Sequence, residues 1–432
     1  MSEEATLDEF ADEETEGDAV DVGSLQQLEK SPIAEWTLKK LGSLLTLEYG
    51  DNLPSDSREE GEIPVFGSNG QVGTHSESAV TEPGIIMGRK GSIGEIKFSE
   101  IPFWPIDTTY YITANETDEN LRFLYYLLQN IQLKRLNAAS AIPGLNRNDA
   151  YGLNALVPPL SEQRKIATVL YTVDRAIEKT ERIVEQMDIV QQGLLRSLFG
   201  KDKQGRDTDV ETKTERLGPK QFQVPVSWEV TNIASIGRVV TGDTPSTDDE
   251  SNFGGSLPFV TPNTLSQGKY VTKSDRTLSE TGRNEAKPVP EGSVMMDCIG
   301  SDMGKVAISG CEVATNQQIN SVVIEDASYL PEFLYYHLIV LSDFIKSQAG
   351  QTATPIVNKS SFESFVVFNP PIEEQQKIID TLSLFDKGKQ SNIECLTELK
   401  RLKRGLQQDL LSGTVRTTDT NIEVPDEIAQ HG

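Results

Sequence analysis

Asn369-Pro-Pro-Ile372 holds three of the four residues of an Asn-Pro-Pro-aromatic grip on an adenine turned out of DNA. That chemistry needs an amide for the base edge and a ring to stack on the base. Ile372 cannot stack, and a second Pro pair, Val157-Pro-Pro-Leu160, lacks the amide. No Gly-rich strand–turn–helix for S-adenosylmethionine precedes either. Gly300-Ser-Asp-Met-Gly-Lys305 and Gly88-Arg-Lys-Gly-Ser-Ile-Gly94 lack the GxxxxGK[ST] spacing of a phosphate loop. They read as tight turns between strands, where glycine supplies positive φ. Such turns can still carry Arg89, Lys90, Ser92, Ser301, Asp302 and Lys305 to a DNA groove. The three cysteines and three histidines are scattered, with no CxxC and no ligand-like spacing. No Ser/His/Asp set and no HExxH can be assembled, so the chain reads as non-catalytic.

The elements that must position these turns occur twice. Residues 158–199 and 370–411 align without a gap at an offset of 212, with 11 identities in 42 positions. Each copy opens on a Pro pair, which can precede a helix but cannot sit inside one. Apolar residues then recur at three and four, the pattern of a long helix with one narrow seam. In the first copy they include Ile166, Leu170, Val173, Ile177, Val184, Met187, Leu194 and Leu198. In the second they include Ile378, Leu382, Phe385, Leu396, Leu399, Leu406 and Leu410. A seam that narrow calls for a partner helix, and the other copy is the natural one.

The duplication extends upstream. Trp36-Thr-Leu answers Trp228-Glu-Val, YGDNLPS (49–55) answers TGDTPS (241–246), and Phe123-Leu-Tyr-Tyr answers Phe333-Leu-Tyr-Tyr. SAIPGLNRND (140–149) answers TATPIVNKSS (352–361), with Asn146 and Asn358 as turn residues. Short apolar runs bounded by Gly predict strands at Ile85–Met87, Ile96–Phe98, Tyr110–Ile112, Val294–Met296, Val306–Ile308 and Val322–Ile324. Helices are expected near 120–135 and 330–347. The fold class is α+β: two tandem, mainly β domains at 31–157 and 221–369, each followed by a long helix, 158–199 and 370–411. Residues 200–220 read as a polar linker, 1–30 as an acidic disordered tail, and 412–432 as a loose tail.

The formal charge is −26, from 66 acids against 40 bases. Residues 1–30 carry 11 acids and one Lys, but the remainder is still acidic. Such a balance ordinarily opposes nucleic acid binding. It also suits a protein working in molar salt, where a Debye length of ~3 Å screens long-range repulsion of DNA. No run of 18 apolar residues is present, so no membrane span is expected. The acidic start carries no signal peptide pattern, and the sparse cysteines fit a reducing cytoplasm.

The duplicated PPLSEQRKIATVL and PPIEEQQKIIDTL, each after a β-rich domain, resemble the repeat helices of the specificity subunits of Type I restriction–modification enzymes. WPIDTTYYI (104–112), ATNQQIN (314–320) and the paired FLYY resemble that family's target-recognition domains. The resemblance covers roughly 31–412. It implies a non-catalytic subunit in which each target-recognition domain reads one half of a split site in double-stranded DNA. It also implies that the two helices pair as an antiparallel coiled coil, set the unread gap, and dock two methyltransferase subunits. Motor–nuclease subunits would complete the complex. S-adenosylmethionine, ATP and Mg²⁺ would belong to those partners, with no cofactor on this chain. A self-contained adenine methyltransferase and a coiled-coil scaffold are the competing readings.

In the first domain the candidates for base and backbone contacts are Ser68, Asn69, Arg89, Lys90, Thr108, Thr109 and Arg147. In the second they are Thr261, Asn263, Lys305, Asn316, Gln317, Gln318 and Lys359. Arg89 is the candidate for guanine, and Gln317 or Gln318 for adenine. A helix of roughly 39 residues is about 58 Å long, more than one DNA turn. An antiparallel pair centred on the helix midpoints would set Thr180 opposite Asn392, with Ile166 near Leu406 and Leu194 near Ile378. Val173, Leu170, Met187, Leu382, Phe385 and Leu399 would complete the seam.

Overall fold

A computed structural model describes residues 33, 35–131, 133–134, 144–199, 211–217, 220–349 and 354–429. The acidic segment 1–30 and His431 lie outside the described residues. The chain divides into two compact units, Met1–Arg182 with Glu394–Gly432, and Ile183–Ile393. The division falls inside both long helices, Leu160–Phe199 and Ile372–Ser412.

The first unit carries a four-stranded antiparallel sheet in the order Glu48–Tyr49, Thr109–Thr113, Gly84–Gly88, Ile96–Ser99. Beside it lies a three-stranded sheet of Gly70–His75, Ile63–Gly67 and Trp104–Pro105. Helix Leu121–Asn130 packs its buried face of Leu121, Phe123, Leu124 and Leu127 on the same core as Ile85, Met87 and Ile112. The second unit repeats the scheme with a five-stranded sheet. Its order is Gly237–Thr241, Ile319–Ile324, Val294–Asp297, Val306–Ser309, Tyr270–Val271. Helix Pro331–Gln348 covers it. All six predicted strands and both predicted helices are present within a few residues of their expected limits.

The residues that the two long helices share explain how each is anchored. Pro158 and Pro370 precede Glu162-Gln163 and Glu374-Gln375. Trp36 donates its indole N–H to Glu162 at 3.0 Å, and Trp228 donates to Glu374 at 2.5 Å. Gln163 accepts the N–H of Asn120 at 2.9 Å, and Gln375 accepts that of Leu330 at 2.9 Å, each at the start of the FLYY helix. The second Tyr of each FLYY closes the bracket: Tyr126 donates to Asp174 at 2.8 Å and Tyr336 to Asp386 at 2.6 Å. The repeated E-Q-x₁₀-D spacing thus clamps each helix to the domain that precedes it.

Within each unit the helical segments run antiparallel. In the first, Asp174 pairs with Lys403 at 2.8 Å and Glu181 with Lys400 at 2.9 Å. In the second, Asp188 pairs with Lys389, and Gln191 donates to Asp386 at 2.6 Å. Three sequence expectations need correction. First, Asn392 stands against Met187, about two turns along from Thr180, so the two polar residues are not opposite. Each instead bonds the carbonyl four residues back on its own helix, Thr180 to Ala176 and Asn392 to Gly388, both at 2.8 Å. The Thr180 hydroxyl is thus satisfied within its own helix, while the Asn392 amide also donates across the pair to Met187 Sδ at 3.7 Å. Second, Ile166 and Leu170, and Ile378 and Leu382, are buried in the domain cores. The apolar stripe packs on the globular domain as well as on a helix. Leu406 shares the first core with Ile166, and Leu194 shares the second with Ile378. Val173, Met187, Phe385 and Leu399 are half-buried.

Third, the chain after Ser412 is packed. Arg416 forks onto Glu162 at 2.8 and 2.9 Å, and Lys165 donates to the carbonyls of Thr417, Thr418 and Thr420. Ile428 is fully buried, and its carbonyl accepts from Asn120 at 2.8 Å. Polar composition disguised a segment anchored by the buried Ile428 and the forked Arg416, although Val415 stays 46% exposed. Part of the expected linker is likewise ordered: Thr212–Leu217 pairs with Lys220–Pro225 as a hairpin, and Leu217 and Val224 enter the second core.

Candidate nucleic-acid interface

In the first unit five of the seven candidates converge beside the four-stranded sheet. The turn after Gly84–Gly88 brings Arg89 and Lys90 back onto residues 105–109. The N–H groups of Arg89 and Lys90 donate to the carbonyl of Thr108 at 2.9 and 3.1 Å. Gly91 and Gly94 hold positive φ there, at 79° and 73°, as the sequence expectation requires. The Ser68 carbonyl abuts Gly88, and the Ser68 hydroxyl lies over Gly91. Leu145 donates its N–H to the Arg89 carbonyl at 2.8 Å. That places Arg147, first residue of the helix Arg147–Tyr151 capped by Asn146, at the same spot.

Both guanidiniums lie on aromatic faces. Arg89 sits 5.0 Å from the Tyr49 ring centroid and Arg147 sits 4.2 Å from it. Both also reach Tyr110, at 5.8 and 5.9 Å. Arg89 is further tied by a 2.8 Å donation to the Asp107 carbonyl. Tyr110 donates to the Leu145 carbonyl at 3.0 Å, and burial pushes its hydroxyl up to about 12. It therefore acts as a neutral donor. Tyr49 is 49% exposed. Sequence reasoning missed it; the available signal was an aromatic residue directly before the close-packed Gly50. Asn69 is exposed at the tip of the adjoining hairpin, and Lys90 pairs loosely with Asp107 at 3.6 Å. Thr109 does not face solvent: it is fully buried, and its hydroxyl donates to the Ile106 carbonyl at 2.8 Å. It is a structural residue of the turn.

The second unit reproduces the backbone. Gly50 donates to the Thr109 carbonyl, as Gly242 does to Ile319. Arg89 donates to Thr108, as Cys298 does to Gln318. Leu145 donates to Arg89, as Val357 does to Cys298. Asn358 caps Lys359–Glu363 as Asn146 caps its helix. Gly50 and Asn146 recur as Gly242 and Asn358, but four other side chains differ. Cys298 stands in the place of Arg89, Thr241 in that of Tyr49, Asn320 in that of Tyr110 and Lys359 in that of Arg147. Thr241 donates to Asn320 at 2.7 Å. Gln317 is exposed and accepts from Thr244 at 2.5 Å, while Asn316 and Gln318 bond each other at 2.9 Å. Thr261 caps the short helix Pro262–Leu265 on which Asn263 is exposed. Lys305 pairs with Asp302 at 2.6 Å and Lys359 with Glu363 at 3.6 Å. Beneath the Gly300–Lys305 turn, burial raises the Asp297 carboxyl to about 6 against the opposing N–H of Ile299.

Residues 33–186 and 225–403 match the family described as Type I restriction modification DNA specificity domain. The chain belongs to that family. It is 31% identical over 182 residues to the Type I restriction enzyme MjaIX specificity subunit of Methanocaldococcus jannaschii, covering 40% of this chain and 42% of that one. It is 31% identical over 203 residues to the HindI specificity subunit of Haemophilus influenzae, covering 44% and 42%. These alignments span less than half the length of either relative. The fold is that of the M. genitalium S subunit, with a TM-score of 0.61 at 15% identity over 89% of this chain and 98% of that one. No described helix is long and apolar enough to cross a membrane.

Proposed function

We propose that this chain is the non-catalytic DNA-reading subunit of a Type I restriction–modification complex in the cytoplasm. Each target-recognition domain, 31–157 and 221–369, reads one half of a bipartite site, and the paired helices set the unread gap. The observation that carries this reading is one backbone scaffold, used twice, presenting different side chains at equivalent turn positions. A symmetric reader would have no use for that divergence. Direct readout needs side chains at base edges, whereas bulk charge only adds affinity. Co-expression with a methyltransferase subunit, followed by sequencing of modified bases, should reveal a two-part motif with a constant gap. A contiguous motif, or methylation by the chain alone, would contradict the reading.

The helices offer two repeat-equivalent sites for methyltransferase subunits. Val190 and Leu402 occupy the same repeat position and are 55% and 50% exposed. Three residues on, Gly193 and Gly405 have open space where a side chain would project. An exposed branched residue beside a bare stretch of backbone suits close docking of a partner element. Val190→Glu and Leu402→Glu should each weaken one of two methyltransferase contacts about 10–100-fold. Native mass spectrometry should find one methyltransferase subunit per chain in either variant and none in the double variant. Two retained in the double variant would place docking elsewhere. S-adenosylmethionine, ATP and Mg²⁺ act on the partner subunits, with motor–nuclease subunits completing the assembly.

A further inference from the structure

We propose that Tyr49 is the positioning residue of the first domain's base readout, holding Arg89 and Arg147 as a fixed pair of guanidiniums for a guanine-bearing half-site. The second domain has no arginine at this place and reads by a different chemistry. The inference rests on the functional reading above and deepens it. Three observations carry it. Both guanidiniums lie within 5.0 Å of one half-exposed ring. The Nε atoms of Arg89 and Arg147 are buried without a hydrogen-bond partner, so their planes are held by the rings and by the single bond to Asp107. The equivalent backbone positions in the second domain carry Thr241, Cys298 and Lys359.

A guanidinium reads guanine by placing two parallel N–H groups on O6 and N7, which demands a fixed plane. An unrestrained arginine loses rotamer freedom on binding; one stacked beforehand loses less. Cys298 has neither charge nor reach, and burial pushes its thiol up to about 12, so it stays protonated. At this position the second domain is left with the Thr241–Asn320 pair and Lys359, a point charge suited to phosphate rather than to a base edge.

The test uses the full chain with a methyltransferase subunit, and duplexes in which single base pairs of the modified site are exchanged. Tyr49→Thr, which installs the second domain's residue, and Tyr49→Ala should each reduce discrimination at guanine-bearing positions of one half-site about tenfold or more. Tyr49→Phe keeps the aromatic face and should restore it. Discrimination in the other half-site should not change in any variant. The proposal is overturned if Tyr49→Thr leaves both halves equally well discriminated, if Tyr49→Phe loses as much as Tyr49→Ala, or if both halves suffer alike. Failure of the wild-type complex to bind any duplex would instead overturn the functional reading itself.

Discussion

Replacing His337 with leucine is expected to stabilise the second unit by about 1 kcal/mol at neutral pH and by more in acid. His337 is fully buried, and neither ring nitrogen has a hydrogen-bond partner. Its ring stacks between Phe199 and Phe368, each with a centroid 5.0 Å away. Leaving such a polar group unsatisfied costs about 1–3 kcal/mol. Loss of the ring stacking returns about 0.5–1.5 kcal/mol of that. The first unit already holds the alternative, since Leu127 occupies the same place in its FLYY helix and is buried.

The acid effect follows from burial, which drives the imidazole from 6.5 down to about 3. Between those values the unfolded chain binds a proton that the native chain excludes. Stability is therefore highest above 6.5 and is lost as pH falls, by up to about 1.4 kcal/mol per pH unit. The His337→Leu variant lacks this loss. In urea titrations followed by Trp228 fluorescence, its advantage should widen by about 2 kcal/mol between pH 7 and pH 5. A constant difference across that range would contradict the assignment of a neutral, buried imidazole.

Glu162→Ala should destabilise the first unit by about 3–5 kcal/mol. The carboxylate is 2% exposed and serves three donors: the Trp36 indole, the Arg416 guanidinium and the Thr417 N–H. Removing it takes this acceptor from all three, leaves Arg416 its longer ion pair with Glu35 at 3.7 Å, and releases both the helix entry and the segment after Ser412. Burial alone would raise its pKa, but the bonds from Arg416 and Trp36 outweigh burial and hold it below the usual carboxylate range. Its contribution is thus present above about 4.5 and is lost as pH falls through the lower native value. Glu162→Gln retains one acceptor and should cost less. Denaturant titration followed by Trp36 fluorescence checks both, and a loss under 1 kcal/mol for Glu162→Ala would contradict the bracket.

The long helices were legible because a Pro pair and forty residues of three-and-four spacing admit one interpretation. The strands were legible from apolar runs between glycines. The register of the helix pair was not. An apolar residue on a helix reports that the face is covered, and Ile166 and Ile378 are covered by domain cores. The identical E-Q-x₁₀-D spacing marked the repeat but not its use, because the partners Trp36, Asn120 and Tyr126 lie far away in sequence. The segment after Ser412 read as loose because one buried Ile428 and one forked Arg416 anchor it, too few residues to leave a periodic pattern. At the interface, sequence spacing matched the glycine turns, yet the backbone aligns Arg89 with Cys298 rather than with Lys305. An insertion between copies hides such a correspondence until the hydrogen bonds are traced.

The measurement that bears most directly on two separate readers joined by a measuring helix pair is a domain exchange. Residues 31–157 would be replaced by the corresponding segment of another specificity subunit, with both helices kept, and the modified bases sequenced after co-expression with the methyltransferase subunit. One half of the motif should change, while the other half and the gap between them stay as they were. A change in both halves, or a change in the gap with the helices intact, would contradict the account.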